Sequence, residues 1–323
     1  MLRLQAGQLR EMLRPLGLAD EIAGFEPVAG GRCNSNYCVG LKRGERKLFV
    51  RIYSRGADVA RKEAALGQLL AGRAPVAAVL HSAPDGVPGC PPFAVQEWVQ
   101  HPSLSAVLES LAGLEARALG ESVGETLGRI VGVRFSGPGD LGPDLSVKPW
   151  PWADDGDGMF LEFVRGCLEA GRAVERLGNE RSQRLWELAR CEAFRLREPE
   201  PAACLVHGDF GPTNLLVSRD RGRPSVAAVV DWEFAHSGTP LMDLANLLRR
   251  EEQAPPEFAS GVAAAFSATW GPLPADWRAR AKLIDLTAQL EFLQSVAERG
   301  EIHAQAIEII DRTLASWDSY LPS

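Results

Sequence analysis

Three side chains carry oxygen chemistry at a spacing that suits phosphoryl transfer. In the stretch Val206-His207-Gly208-Asp209-Phe210-Gly211-Pro212-Thr213-Asn214, a carboxylate stands five positions before an amide, and the apolar run Leu215-Leu216-Val217 follows. A second carboxylate, Asp231, closes the next apolar run, Ala227-Ala228-Val229-Val230. Moving a phosphoryl group asks little covalent work of a protein; it asks for positioning and charge neutralisation. Asp209 is suited to orient an acceptor hydroxyl and take its proton. Asn214 and Asp231 offer the few hard oxygen ligands that Mg²⁺ takes while keeping room for phosphate and water. A single His-Gly-Asp or Asp-Trp is equally a turn with a capping Asp. The ordered set, with strand-like runs around it, is what points to chemistry.

The surrounding pattern supplies elements to position these groups. Residues 1–20 read as an amphipathic helix with Leu9, Met12, Leu13 and Leu16 on one side. After a Gly-rich turn at 30–36, residues 37–41 and 47–53 read as two strands joined at Arg43-Gly44-Glu45. Residues 58–71 are helical, with Val59, Leu66 and Leu70 on one face, and 75–80 and 93–99 are further strands. The character changes after His101-Pro102. Residues 103–134 are helical with a break near Gly113, and 159–196 are helical again. Between them, 136–158 is rich in Gly, Pro and Asp, the composition of a functional loop. The stretch carrying Asp209 and a β-hairpin together occupy 205–234, the hairpin turning at Arg219 to Pro224. From Leu241 onward the pattern is helical, broken at Pro255-Pro256 and at Gly271 to Pro274. This order predicts an α+β chain with a β-rich lobe over residues 1–100 and a helical lobe over 101–323.

Bulk properties exclude other classes. The 323 residues are 46% apolar and 24% charged, which supports a packed core. A formal net charge of -7 argues against a nucleic-acid binder, which needs a basic face. The six cysteines form no C-x-x-C pair and read as free thiols. No run reaches the length of a membrane span and the first residues lack a signal peptide's apolar core, so the expected location is the cytoplasm. No oligomeric state is legible.

His207-Gly208-Asp209-x4-Asn214, then Val230-Asp231-Trp232-Glu233, then Pro240-Leu241-Met242-Asp243-Leu244-Ala245, resembles the aminoglycoside phosphotransferase and choline kinase family, a small-molecule branch of the protein-kinase-like fold. The resemblance runs in order along nearly the whole chain. It implies a bilobal fold with a small β-rich N-lobe and a larger helical C-lobe. It implies ATP or GTP with Mg²⁺ as cofactors, Asp209 as catalytic base, and Asn214 and Asp231 as metal ligands. Asp243 becomes a carboxylate bracing the catalytic loop; its place ahead of a helical run also fits a helix cap.

The N-terminal part matches less sharply. Gly31, Asn34, Ser35 and Asn36 fall where a loop over the phosphates is expected, because small residues let backbone N–H groups approach closely. The pattern is not G-x-G-x-x-G, and a simple hairpin turn accounts for the same residues. Arg51 falls where a kinase has its phosphate-binding lysine. Arginine binds phosphate as a fork rather than a point charge, so the replacement is not neutral. Glu63 shares the apolar stripe of Val59, Leu66 and Leu70. A carboxylate there needs a partner, and Arg51 is the natural one. Both are therefore counted with the catalytic set. The stretch Glu97-Trp98-Val99 is the expected hinge, with the Glu97 carbonyl and Val99 N–H facing adenine.

The reading that follows is an ATP-dependent kinase of a small-molecule hydroxyl, either an aminoglycoside or a metabolite alcohol. Two rivals stand beside it. A protein kinase is disfavoured by Gly208 in the usual Arg position and by the lack of D-F-G and A-P-E segments after Asp231. A non-catalytic nucleotide-binding regulatory protein is favoured by Arg51 and the irregular Gly loop. It is disfavoured by the joint presence of Asp209, Asn214 and Asp231.

Overall fold

The computed structural model describes residues 3–28, 34–150, 156–197, 202–219 and 222–322. In chain order these form α1 (Ala6–Leu13), β1 (Ile22–Pro27), β2 (Ser35–Leu41), β3 (Lys47–Ile52), α2 (Ala57–Leu70), β4 (Val79–Ala83), β5 (Phe93–Glu97), α3 (Leu104–Val107) and α4 (Gly113–Val131). Then come β6 (Gly139–Leu141), β7 (Val147–Pro149), α5 (Gly156–Glu169), α6 (Arg172–Leu177), α7 (Asn179–Glu192), β8 (Cys204–Val206), β9 (Leu215–Ser218), β10 (Ser225–Val229) and β11 (His236–Gly238). The chain closes with α8 (Leu241–Leu247), α9 (Pro256–Thr269), α10 (Trp277–Gln294) and α11 (Gly300–Ala315). The N-terminal helix is shorter than expected. It tightens to a 3₁₀ turn over Arg14–Leu16, which contains Pro15, and stops at Gly17 with φ of 69°.

The chain divides into two compact units that are not contiguous in sequence, unlike the expected division at residue 100. The first holds Met1–Val107, Leu141–Lys148 and Pro212–Ala235. Its frame is an antiparallel sheet in the order β1-β2-β3-β5-β4. Strand period decides what faces where. Leu48, Val50 and Ile52 of β3 join Leu9, Met12 and Leu13 of α1 in an apolar core with Phe93 and Val95. Phe49 and Arg51 therefore turn to the opposite face, where Tyr53 and Ala94 meet Ala60 of α2. The β9–β10 hairpin belongs to this unit because its backbone is tied there. Val229 N–H donates to Pro75 O at 2.8 Å and Val217 N–H to Pro102 O at 2.9 Å.

The second unit holds Leu108–Asp140, Pro149–Gly211 and His236–Ser323. Its core joins Phe160 and Val164 of α5, Leu185 of α7, Leu283, Leu286 and Leu290 of α10, and Ile310 of α11. Elsewhere α4 lies against α9 with backbones almost touching. A Cβ built on Gly120 would stand 2.2 Å from Phe258 O, and one on Gly124 2.2 Å from Val262 O. Strand β11 pairs antiparallel with β8 and with β6. The expected loop over 136–158 thus contains strand residues, since Gly139 and Asp140 pair with Ser237 and His236. The ladder partner overrides a composition that reads as turn.

Candidate active site

In the helical unit, β8 runs straight into the His207–Gly211 loop. Gly208 has φ of 81°, a conformation glycine adopts without steric cost. Helix α8 holds this turn. Asp243, fully buried, accepts the His207 N–H at 2.8 Å and the Gly208 N–H at 3.0 Å, one on each carboxylate oxygen. Burial pushes the Asp243 carboxyl up to about 7, against the two amide bonds that favour its charge; the nearby Asp209 charge adds to the rise. Asp243 therefore braces the loop from inside α8, in its first turn, and its two bonds run to the loop rather than to the helix's own N–H groups. His207 is fully buried and accepts the Asp209 N–H on Nδ1 at 3.2 Å. That bond leaves the ring proton for Nε2. Phe210 is fully buried beside the His207 ring, and Asp209 between them is half-buried.

In the sheet-containing unit, the hairpin brings Asn214 and Asp231 together. Leu215 pairs with Val229 at its open end, and the Val230 N–H donates to the Asn214 carbonyl at 3.0 Å. Asp231 follows directly with φ of 71°, a strained conformation for a non-glycine residue. Its Oδ1 lies 2.8 Å from Arg51 Nη2. Arg51 Nη1 lies 2.9 Å and 3.0 Å from the two oxygens of Glu63, and the Tyr53 hydroxyl donates to Glu63 Oε2 at 2.8 Å. The side chains of Arg51 and Glu63 are 6% and 5% exposed. Burial works against the guanidinium charge, but Glu63 and then Asp231 more than offset it, so Arg51 is held above its ordinary range. The expected partnership of Arg51 with Glu63 is present, with Asp231 as an additional member.

The other expected site residues divide. Gly31 lies outside the described residues. Asn34 is buried and engaged within the unit: its Oδ1 accepts the Ser54 N–H at 3.2 Å and its Nδ2 donates to Glu233 Oε2 at 3.3 Å. Ser35 and Asn36 are strand residues of β2 paired with Ile52 and Arg51, not loop residues. Glu97 ends β5 opposite Leu48, its N–H given to Ala78 O at 3.0 Å. Val99 lies beyond the strand, its carbonyl accepting the His101 N–H at 3.1 Å.

Sequence reasoning missed Glu233. It is buried two residues past Asp231; burial first and the Asp231 charge second raise its pKa, while Arg51, Arg55 and Asn34 oppose the rise. Lys62, next to Glu63 on α2, donates to the Glu233 and Ala235 carbonyls at 2.9 Å and 3.0 Å. The Glu in Asp231-Trp232-Glu233 is a signal visible in the sequence; Lys62 carries none, since a helix lysine reads as surface. Among the described residues no three or more His, Cys, Asp or Glu side chains are grouped to hold a metal.

Comparison with known proteins gives these two clusters, each within its own unit, a context. A solved structure of the aminoglycoside phosphotransferase APH(4)-Ia matches 97% of this chain and 99% of its own, with a TM-score of 0.68 at 19% identity. The GDP complex of a mutant aminoglycoside 2'-phosphotransferase-IIIa matches 98% of this chain and all of its own, with a TM-score of 0.73 at 17% identity. Likeness at these identities establishes the protein-kinase-like fold. Viomycin phosphotransferase of Streptomyces vinaceus is 40% identical over 89 residues, which is 27% of this chain and only 29% of that relative's length. A model of the phosphotransferase enzyme family matches residues 24–283, and the chain belongs to that family.

Proposed function

We propose that the protein transfers the γ-phosphate of ATP, or of GTP, to a hydroxyl of a small molecule. The observation that carries this reading is the hairpin register that sets Asn214 beside Asp231, five residues after a base whose backbone is held by Asp243. Asp209 orients the acceptor hydroxyl and takes its proton. Asn214 and Asp231 fit Mg²⁺, which takes one or two carboxylate or amide oxygens and completes its shell with phosphate and water. The ion, when bound, neutralises charge on the phosphates. Arg51, fixed by Glu63, faces the nucleotide phosphates, and the Glu97–Val99 backbone meets the base. The acceptor class is that of the relatives' antibiotics, the aminoglycosides and viomycin, with metabolite alcohols such as choline and homoserine beside them. A formal net charge of -7 argues against nucleic acid as a partner in this reading.

One observation favours a non-catalytic nucleotide binder. Arg51 already occupies Asp231 Oδ1, so a cation must compete for it. Incubation with ATP or GTP, Mg²⁺ and a panel of hygromycin B, kanamycin, viomycin, choline and homoserine separates the two readings. Acceptor-dependent release of nucleoside diphosphate, with a phosphorylated product by mass, supports the kinase. Nucleotide binding without turnover on any acceptor, or with water, overturns it.

A further inference from the structure

The loop that carries Asp209 is held by more than Asp243. We propose that Asn246, Arg249 and Asp285 form a positioning relay for Asp209, an inference that rests on Asp209 being the proton acceptor. The Gly208–Asp209 peptide group is fixed at both ends. Its N–H goes to His207 Nδ1, and its carbonyl, that of Gly208, accepts Asn246 Nδ2 at 3.2 Å. Asp243 and Asn246 stand three residues apart on α8 and so share one face. One takes the N–H of Gly208 and the other serves its C=O.

An asparagine amide has two orientations of nearly equal shape, and only one presents a donor to Gly208. Arginine has donors alone. Arg249 Nη2 stands 2.7 Å from Asn246 Oδ1, so it selects the orientation that turns Nδ2 toward the loop. Arg249 is aimed in turn by Asp285 of α10, whose Oδ1 accepts Arg249 Nε at 2.7 Å and Gln289 Nε2 at 3.1 Å. Asp285 is 3% exposed, and its Oδ2 is buried with no hydrogen-bond partner among the described residues. Arg249 is half-buried against the buried Asp285, and an apolar replacement commonly serves stability as well as a desolvated pair. What the charged pair supplies here is direction: it fixes a guanidinium plane, which fixes an amide, which fixes the peptide leading into Asp209.

Asn246→Asp tests this without dismantling the pair. The carboxylate keeps a partner for Arg249 but has no proton to offer the Gly208 carbonyl. Arg249→Lys keeps a charge for Asp285 but lacks the fork that spans both partners. The assay is ADP release from ATP and Mg²⁺ with water as acceptor, read beside ATP KM, Tm and amide hydrogen exchange over residues 207–210. A misplacement of about 1 Å costs up to ~10²-fold in rate, so turnover should fall by roughly ten- to a hundredfold in both variants. ATP KM and Tm should stay near the parent's, and the 207–210 amides should exchange faster. The double variant should be no worse than the poorer single one, because both act through one amide. Parental turnover and exchange in Asn246→Asp, or a loss that merely follows a fallen Tm, overturns the relay. If Asp209→Asn turns over ATP like the parent, it is the proton-acceptor reading that fails, and exchange at 207–210 still decides the relay.

Discussion

Arg51 and Asp231 form an ion pair at 2.8 Å across two elements of one unit, β3 and the segment leaving β10, while the same guanidinium grips Glu63. One fork therefore answers two carboxylates, a task that lysine, as a point charge, does not duplicate. Removing Arg51 leaves Glu63 buried with only the Tyr53 hydroxyl and leaves Asp231 without its counter-charge. Breaking a buried pair from one side costs about 3–5 kcal/mol. Arg51→Ala should lose stability on that scale in urea unfolding and raise the ATP KM. Arg51→Lys should retain part of both. An alanine variant with the parent's unfolding midpoint would show that the pair contributes little.

Asp209→Asn tests the base. The substitution preserves size and the backbone bonds of the loop, and removes the acceptor for the hydroxyl proton. Loss of a general base costs ~10²–10⁴-fold in turnover. The expected result is that loss in kcat with an unchanged Tm and unchanged ATP affinity. Turnover close to the parent's would remove Asp209 from the chemistry.

Asp243 gives the fold a pH signature. Its carboxyl is held at about 7 when folded against 3.8 for an ordinary Asp. Between those values the folded state binds more protons than the unfolded one, so this group's contribution to stability falls as pH rises through that window. Asp243→Asn carries no titrating proton. The parent's Tm advantage over that variant should be largest near the lower value and shrink as pH approaches the upper one. A difference in Tm that stays flat across the window, or widens, would contradict the assignment.

Helix glycines separate into two kinds. A methyl on Gly124 meets backbone, Val262 O at 2.2 Å and Phe266 N at 2.9 Å, which cannot swing aside. Overpacking of this sort costs about 1–3 kcal/mol or more. Gly166 on α5 has nothing within 4 Å of its built Cβ. There alanine should stabilise by about 0.4–1 kcal/mol through the unfolded chain. Thermal melts of Gly124→Ala and Gly166→Ala should therefore move in opposite directions; a shared direction would mean that α4 and α9 yield.

The pairing of Arg51 with Glu63 is legible because two periodicities converge. Glu63 sits on the apolar stripe of α2, and strand alternation turns Arg51 away from the side that Val50 faces. Asp231 joining that pair is not legible, because it depends on where the β9–β10 hairpin docks. Asn34 misleads for a related reason: its amide suits a phosphate loop, yet it is turned to Ser54 and Glu233. The relay from Asp285 to Gly208 hides because its members are distant in sequence and each reads as an ordinary polar helix residue. The strands at 139–141 and 147–149 hide because Gly and Pro dominate their neighbourhood.

The glycines of α4 have a meaning for the order of events during synthesis. Gly113, Gly120, Gly124 and Gly128 all lie in this helix, and each interior glycine costs roughly 1 kcal/mol of helix propensity relative to alanine. Alone, α4 is a poor helix. The surface that compensates is α9, which begins at Pro256, long after Val131 has left the ribosome. The first helix of the second unit is therefore expected to wait, unconsolidated, until the whole of the segment from His207 to Asp243 has been made. Consolidation of α4 is expected to be a late, long-range event rather than a vectorial one.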